Sequence, residues 1–375
     1  MAALPAFTLP LPAEEFLARY WQREPLFMPG AATGLDHPEP DLLASLALDE
    51  EVESRIVRGG ADTDWQLRHG PFSEADFASL GQRDWTLLVQ SVDHYLTEVS
   101  LLLDSFSFLP AWRLEDIMIS YAAEGGGVGP HFDRYDVFLI QARGWRRWTL
   151  GPRCDEDTPL RDHPDLRLLR DPPVEQLYEA GPGDVLYLPP GVAHEGVALD
   201  GDCVTWSVGL RAPARRDLLA ALAAEVLEDG PEDLLTDAGR EPAAWPGMLE
   251  ETDVARMLQA VRPLLDSRAA RRGLARTCST PRQYALDFEV DTRHIRAAVE
   301  DAALVRHGAA RLLVDGDQAW INGQCHTLSP EQRPLGELLA GCRVYTRQAL
   351  EPLMKGEARE LINEWIDEGY LVPLE

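Results

Sequence analysis

The sequence predicts a mainly β protein, in which a sandwich or barrel with flanking helices is followed by a helical segment and a small α+β unit. Between residues 117 and 210, short runs of β-branched and aromatic residues are separated by glycine and proline, which is typical of closely spaced strands. After Pro213 the apolar residues recur at helical intervals instead. A chain of 375 residues is long enough for two or three domains.

The strand-rich part follows an N-terminal segment, residues 13–30, that is predicted to be a helix and then an extended stretch. The strands are predicted at residues 117–121, 137–140, 145–150, 184–188 and 203–208. Because side chains alternate between the two faces of a strand, these runs also predict which residues point into the barrel.

Two amphipathic stripes define the helical segment, with a linker over residues 231–246 between them. The stripes consist of Leu218, Leu219, Leu222 and Val226, and of Val254, Met257, Leu258, Val261 and Leu265. An apolar helix pair outside a barrel either packs locally or forms a dimer surface, and the sequence leaves both interpretations open.

The C-terminal residues are predicted to form a winged helix. A helix over 291–305 precedes a hairpin turned at Gly316, and an amphipathic helix that ends at Gly369 precedes a closing strand over 370–374. Residues 281–375 carry 10 basic and 16 acidic side chains, so a protein-binding or structural role is expected rather than nucleic-acid binding. The predicted domains are residues 1–212, 213–280 and 281–375.

The composition limits the partners and the location. A net charge of -28 disfavours contact with phosphate backbones and favours a basic partner, with plain solubility as the alternative. No apolar run approaches the roughly 18 residues that span a bilayer, and residues 1–13 lack the pattern of a signal peptide, so a cytoplasmic protein is expected. The five cysteines include no CxxC pair, which argues against disulfides and zinc–sulfur sites.

Two segments contain candidate metal ligands. If residues 131–133 form a strand, His131 and Asp133 share one face and can hold one ion, while Phe132 points away into packing. About sixty residues later, an apolar strand and a rigid Pro-Pro-Gly turn deliver His194. Two imidazoles and one carboxylate form the facial triad of a non-haem iron(II) oxygenase; zinc on a similar ligand set is the alternative.

An iron site of this kind takes electrons for dioxygen from a co-substrate, usually 2-oxoglutarate, whose distal carboxylate needs a cation. Strand alternation allows only one of Arg146 and Arg147 to point inward, and Arg146 is predicted to bind the carboxylate in bidentate fashion. Ser120 shares a face with Asp116 and can donate its hydroxyl to the same carboxylate. The alternative is that both arginines lie on the surface beside aromatic packing.

The runs DIMIS (116–120), GGGVGPHFDRYDVF (125–138) and WRRW (145–148) resemble those of the bacterial JmjC ribosomal oxygenases, which hydroxylate an arginine of a large-subunit ribosomal protein. The likeness extends over the whole chain. It implies a double-stranded β-helix (cupin/JmjC) barrel with flanking helices, a helical segment that makes a homodimer, and a C-terminal winged helix.

The resemblance also implies roles for individual residues. Iron(II) would be held by His131, Asp133 and His194, and 2-oxoglutarate by Ser120 and Arg146. The substrate arginine would be held by Asp116 and Tyr135 at the mouth of the site, although a core aromatic is an equal alternative for Tyr135.

Three other functions stay open on the sequence. The chain could be a 2-oxoglutarate oxygenase that acts on asparagine, histidine or methyl-lysine in another protein. It could be a non-catalytic dimeric scaffold that binds a partner through its helical parts. A zinc-bound cupin isomerase is the weakest alternative, because it has no need of Arg146 inside the barrel.

Overall fold

The structure is a computed structural model that describes residues 4–36, 38–60, 63–281 and 303–374. The chain divides into two compact units. The first contains the described residues up to Ala212 together with 303–310 and 331–374, and the second contains residues 213–281 and 311–330. Within this part of the chain, no helix is both long and apolar enough to cross a membrane.

The first unit is built on two antiparallel sheets. Its N-terminal strands are β1 (Ala6–Phe7), β2 (Leu26–Met28), β3 (Ala32–Thr33), β4 (Ser54–Gly60), β5 (Thr63–His69) and β6 (Trp85–Val89). They are followed by β7 (Leu114–Ala122), β8 (Val137–Arg143), β9 (Arg146–Arg153), β10 (Gln176–Ala180), β11 (Val185–Leu188), β12 (Val192–Ala198) and β13 (Cys203–Leu210). The larger sheet has the order β2-β11-β8-β13-β7-β6-β4-β5, and the smaller one has the order β10-β9-β12.

Short helices accompany these sheets. They are α1 (Ala13–Arg19), α2 (Pro40–Leu46), α3 (Glu74–Ala78), α4 (Val92–Tyr95) and α5 (Thr97–Ser100), with 3-10 turns at Leu101–Phe106 and Ala111–Arg113. The five predicted strands are confirmed as β7, β8, β9, β11 and β13. Strands β4 to β6, which widen the larger sheet, were not predicted, although in β5 the apolar Trp65 and Leu67 alternate with polar residues.

Strand β11 explains where the core lies, because its four residues are all buried. Val185 and Tyr187 belong to a cluster on the outer face of the larger sheet, where the Tyr187 ring lies 5.0 Å from that of Phe16. Leu186 and Leu188 face the other way, into a second cluster between the two sheets. A strand buried on both faces requires the continuous apolar run that the sequence shows.

The remainder of the first unit is a three-stranded sheet with three helices. The strands are β14 (Leu304–Arg306), β18 (Val344–Tyr345) and β19 (Leu371–Pro373), in the order β18-β14-β19. The helices are α9 (Arg333–Gly341), α10 (Arg347–Leu350) and α11 (Gly356–Asp367). The predicted C-terminal helix and closing strand are confirmed as α11 and β19. Of the helix predicted at 291–305, residues 291–302 lie outside the described residues, and residues 304–305 are strand rather than helix.

The second unit combines three helices with a small sheet. Its elements are α6 (Arg215–Asp229), α7 (Glu251–Leu265), α8 (Arg268–Ser279), β15 (Leu312–Asp315), β16 (Gln318–Ile321) and β17 (Gln324–Thr327). Helices α6 and α8 approach closely at Gly273, where a Cβ atom would lie 2.1 Å from the Ala221 carbonyl oxygen. The predicted hairpin is confirmed as β15 and β16, with β17 as a third strand.

Candidate metal centre and the cavity around it

The two sheets of the first unit enclose a cavity of about 750 Å³. The larger sheet contributes Met118, Ser120 and Thr205 to its wall, and the smaller sheet contributes Arg146 and His194. Strand alternation explains this set, because each of these side chains lies on the inward face of its strand. The strands of the barrel thus form two walls of the cavity, and the connecting segments around residues 131–135 and 165–168 complete its lining.

His131, Asp133 and His194 come together in this cavity. One ligand atom from each lies within 4.8 Å of the others, and among the described residues this is the group that could hold a metal ion. The main chains of His131 and His194 form two reciprocal hydrogen bonds. The His131 N–H donates to the His194 carbonyl oxygen at 3.0 Å, and the His194 N–H donates to the His131 carbonyl oxygen at 2.8 Å. The backbone thus holds the two imidazoles side by side.

Both histidines are oriented through Nδ1. His131 Nδ1 lies 2.9 Å from the Gly129 carbonyl oxygen, and His194 Nδ1 lies 3.0 Å from that of Val192. Since a carbonyl oxygen only accepts, each Nδ1 carries the proton and donates it, which leaves the Nε2 lone pair available to a metal. Burial, and next the neighbouring His131, lower the pKa of His194 to about 4, so the imidazole is neutral at physiological pH.

The local structure around His131 differs from the prediction. Residues 131–133 are not a regular strand, because His131 makes an isolated bridge to His194 and the chain then turns toward β8. Phe132 consequently lines the cavity beside its two neighbours instead of pointing away into packing. The ligands meet through this bridge and not through strand alternation.

Arg146 is the buried cation of the cavity, with 4% of its surface exposed. Its Nε lies 3.4 Å from the sulfur of Cys203, and its guanidinium packs over Trp148 at 5.7 Å. Its Nη2 atom is buried and has no hydrogen-bond partner. A buried donor without a partner is costly, so this group fits an anion in the cavity.

Ser120 and Thr205 lie on paired positions of β7 and β13. The Ser120 hydroxyl makes a long, 3.4 Å contact with the Thr205 carbonyl oxygen, and the Thr205 hydroxyl donates to Gln141 at 2.9 Å. Thr205 was not a candidate in the sequence, because a threonine within a buried strand gives no signal of its own. It lies beside Ser120 on the wall of the cavity.

The two candidate substrate residues are placed differently. Tyr135 lines the cavity, and burial followed by the charges of Asp133 and Asp116 raises the pKa of its hydroxyl. Asp116 is not among the residues that line the cavity. The residue is 7% exposed, and its carboxylate accepts hydrogen bonds from Gln90 and Ser91. Burial, and then the nearby Asp93, raise the pKa of Asp116.

A second buried acid, Asp136, was missed in the sequence. Its Oδ1 accepts a hydrogen bond from the Tyr187 hydroxyl at 2.6 Å, and its Oδ2 accepts from Arg113 and Gln22, both at 3.0 Å. The only sequence signal was its place three residues after Asp133. Asp136 anchors the segment that carries the candidate ligands.

The fold and the site define a class: a JmjC-type cupin barrel with two histidines and one aspartate inside. The sequence pattern of the JmjC domain matches residues 101–218. The chain is 35% identical over 97% of its length to all of the ribosomal protein uL16 3-hydroxylase of Escherichia coli. It is 32% identical over 94% of its length to a probable ribosomal oxygenase of Haemophilus influenzae, of which it covers 88%.

Solved structures agree with this relationship. The crystal structure of E. coli YcfD superimposes with a TM-score of 0.85 at 33% identity, covering 98% of this chain and 99% of that one. YcfD, described as a ribosomal oxygenase, has also been solved with cobalt and 2-oxoglutarate, and that structure matches with a TM-score of 0.83 at 32% identity over 97% of this chain and 99% of that one. The chain belongs to the JmjC ribosomal oxygenase family.

Proposed function

We propose that the protein is an iron(II)- and 2-oxoglutarate-dependent dioxygenase that hydroxylates an arginine side chain of a large-subunit ribosomal protein. One observation carries this conclusion: the His131, Asp133 and His194 cluster shares a cavity with the buried, unpartnered guanidinium nitrogen of Arg146. A metal site beside an anion site is what a 2-oxoglutarate oxygenase requires. The family relationship points to the same activity.

The donor set fits iron(II). Two imidazoles and one carboxylate leave about half of an octahedral coordination sphere open, which leaves room for both 2-oxoglutarate and dioxygen. Bound there, the metal and 2-oxoglutarate supply the oxidising power that inserts oxygen into a C–H bond. The residues of the chain hold and orient these groups: His131, Asp133 and His194 hold the metal.

Arg146 and Ser120 are proposed to bind the distal carboxylate of 2-oxoglutarate. The planar guanidinium suits a carboxylate, and the low exposure of both side chains strengthens the interaction. The long contact of the Ser120 hydroxyl to a backbone oxygen is weak enough to be exchanged for a bond to this ligand.

The identity of the substrate is proposed from the net charge of the chain and from its similarity to a named relative. A relative is named for its action on ribosomal protein uL16, and a net charge of -28 suits a basic substrate of that kind. Asp116 and Tyr135 are proposed to bind the guanidinium of the substrate arginine. Tyr135 lines the cavity, and Asp116 is a buried carboxylate on β7, the strand that contributes Met118 and Ser120 to the cavity wall.

The remaining parts are proposed to support this reaction. We keep the domain boundaries at 212 and 280 and the winged-helix assignment for the C-terminal part, with a structural or protein-binding role. The helical segment is proposed to form a homodimer, since Met257, Leu258 and Val261 of α7 are 47%, 55% and 50% exposed. A ribosomal substrate favours action in the cytoplasm.

The test uses unmodified uL16 and the purified protein loaded anaerobically with iron(II) and 2-oxoglutarate. After oxygen is admitted, tandem mass spectrometry should find a gain of one oxygen atom on a single arginine, and the His131→Ala variant should give none. Succinate formation without a modified arginine would redirect the search to another residue or protein. No succinate at all would favour the non-catalytic scaffold.

A further inference from the structure

The carboxylate of Asp116 is held through one oxygen only. Its Oδ2 accepts three hydrogen bonds: from Gln90 Nε2 at 2.5 Å, from the Ser91 main-chain nitrogen at 3.1 Å and from the Ser91 hydroxyl at 2.8 Å. Its Oδ1 accepts none from the part of the chain that the structure describes. The carboxylate is therefore oriented, but half of its accepting capacity is left over.

The backbone of Ser91 is adapted to this contact. Ser91 lies between β6 and α4 with φ 52° and ψ 39°, a left-handed conformation that is uncommon for residues other than glycine, asparagine and aspartate. In this conformation its main-chain N–H and its hydroxyl both reach the same oxygen of Asp116. A strained residue that makes such a contact suggests a positioning role.

The free oxygen lies beside a glycine. Gly209 of β13 pairs with Asp116 of β7, and a Cβ atom at position 209 would lie 3.3 Å from Asp116 Oδ1. Two and four residues earlier on the same face, Ser207 and Thr205 line the cavity. The missing side chain of Gly209 thus leaves space next to Oδ1 on the inward face of the sheet.

The charge around this space suits a cation. Asp93 is also buried, with 1% exposure, and its Oδ1 accepts a hydrogen bond from the Ile117 main-chain nitrogen at 2.8 Å. Burial first, and then the charge of Asp93, raise the pKa of Asp116, while His94, whose Nε2 lies 3.9 Å from Asp93 Oδ2, acts in the opposite direction. A guanidinium bound at Oδ1 would offset the repulsion between the two acids.

We propose that Gln90 and Ser91 are positioning residues, which hold Oδ2 of Asp116 so that Oδ1 stands over Gly209 as the acceptor for the substrate guanidinium. The inference rests on the proposed function, since it takes an arginine as the substrate. It adds the residues that fix the direction of the accepting oxygen and the glycine that leaves room for the substrate.

The first measurement is binding without turnover. Unmodified uL16 is titrated anaerobically, by fluorescence anisotropy, into protein loaded with manganese(II) and 2-oxoglutarate. Gln90→Leu and Ser91→Ala should each weaken binding by about tenfold, because each removes a hydrogen bond to a charged group. The affinity for 2-oxoglutarate and the thermal midpoint should stay close to the wild-type values.

The second measurement concerns specificity. For the wild-type protein, uL16 in which the target arginine is replaced by lysine should bind more weakly than the natural substrate. Gln90→Leu should reduce the ratio between the two affinities, since a misaligned carboxylate no longer selects a planar guanidinium. Gly209→Ala should also lower the affinity for the arginine substrate, because its methyl group would occupy the space beside Oδ1.

Gln82→Leu is the matched control, because Gln82 is exposed and the chemical change is the same. Wild-type affinity in both Gln90→Leu and Ser91→Ala, alongside weakened binding by Asp116→Asn, would overturn the positioning role alone. Wild-type affinity in Asp116→Asn would overturn both this inference and the proposed role of Asp116. If Gln90→Leu melts at a lower temperature than wild type, Ser91→Ala and Gly209→Ala carry the test.

Discussion

At the scale of single residues, Arg146 gives the clearest indication of a ligand, because it has a buried hydrogen-bond donor without a partner. Its guanidinium is nearly buried, yet its described polar contact is the sulfur of Cys203, and Nη2 has no partner. The sequence selected Arg146 over Arg147 by strand alternation, and the structure places Arg146 in the cavity with Trp148. A donor that is expensive to leave unpaired indicates an anionic ligand.

Replacing Arg146 by alanine should therefore weaken 2-oxoglutarate far more than it affects folding. Losing one or two charge-assisted hydrogen bonds costs about 2 kcal/mol or more, which corresponds to an increase of roughly 30-fold in KM for 2-oxoglutarate. The rate of succinate release at a series of 2-oxoglutarate concentrations gives this KM. Arg147→Ala is the control, and an equal effect of both variants would contradict the assignment.

Asp136 has a different function at the same scale, because its three hydrogen bonds join distant parts of the chain. It pairs with Arg113 at 3.0 Å while the carboxylate itself is fully buried. Removing one member of a buried ion pair leaves the other uncompensated, which typically costs about 3–5 kcal/mol.

Asp136→Ala should accordingly lower the free energy of unfolding by about 3 kcal/mol. Urea denaturation followed by tryptophan fluorescence gives this value. Asp157→Asn, at an exposed aspartate, should change it little. If Asp136→Ala unfolded at the same urea concentration as the wild type, the hydrogen bonds of Asp136 would make no net contribution to stability.

At the scale of elements, strand alternation was a good guide only where the strand is regular. On β7 and β9 it brings Ser120 and Arg146 to the cavity, as expected. At residues 131–133 it fails, since one bridge to His194 replaces the strand and Phe132 also faces inward. The candidate ligands nevertheless meet, because the paired main chains hold both histidines.

The end of β14 makes stability depend on pH. His307 follows this strand, and burial, then His94 and Arg343, lower its pKa to about 3. In the unfolded chain a histidine has a pKa of about 6.5, so between about pH 6.5 and 3 the unfolded state binds the extra proton. Its contribution to stability is complete above about pH 6.5 and is lost as the pH falls through this window.

The free energy of unfolding should fall below about pH 6.5 with a contribution of up to ~1.4 kcal/mol per pH unit from His307. Urea titrations at pH 7.5, 6.0 and 5.0 measure the slope. His307→Gln should reduce this slope. Gln82→Leu, a substitution at an exposed residue, should leave the slope unchanged. An unchanged slope in His307→Gln would assign the pH dependence to other groups.

At the scale of the whole molecule, helix α7 carries apolar side chains that remain exposed to solvent in the single chain. The sequence left local packing and a dimer surface open for this helix. Met257, Leu258 and Val261 are about half exposed, and nearby Leu249 and Trp245 are 68% and 69% exposed. This exposed apolar surface is the basis of the proposed homodimer.

Met257→Glu combined with Val261→Glu should convert a dimer into monomers, because it places charges in an apolar contact. Light scattering coupled to size-exclusion chromatography reports the mass, with Arg256→Glu on a neighbouring position as the control. A wild-type protein that is monomeric at micromolar concentration would contradict the proposed homodimer.

The sequence by itself determined the main strands, the candidate triad and the inward arginine, while its strand spacing left both a sandwich and a barrel open. These features depend on local patterns: alternation within a strand, the HxD spacing and a Pro-Pro-Gly turn before His194. The sequence also showed the family resemblance, because each of the DIMIS, HFDRYDVF and WRRW motifs is an uninterrupted run of residues.

Only the tertiary structure decided which groups complete the site. Asp116 meets Gln90 and Ser91, which lie 26 and 25 residues away, and Asp136 meets Tyr187 and Gln22, which are 51 and 114 residues away. No local pattern records such pairs, because a hydrogen bond between distant residues depends on how whole elements pack. The same holds for the empty position of Gly209, which matters only because β13 pairs with β7 beside Asp116.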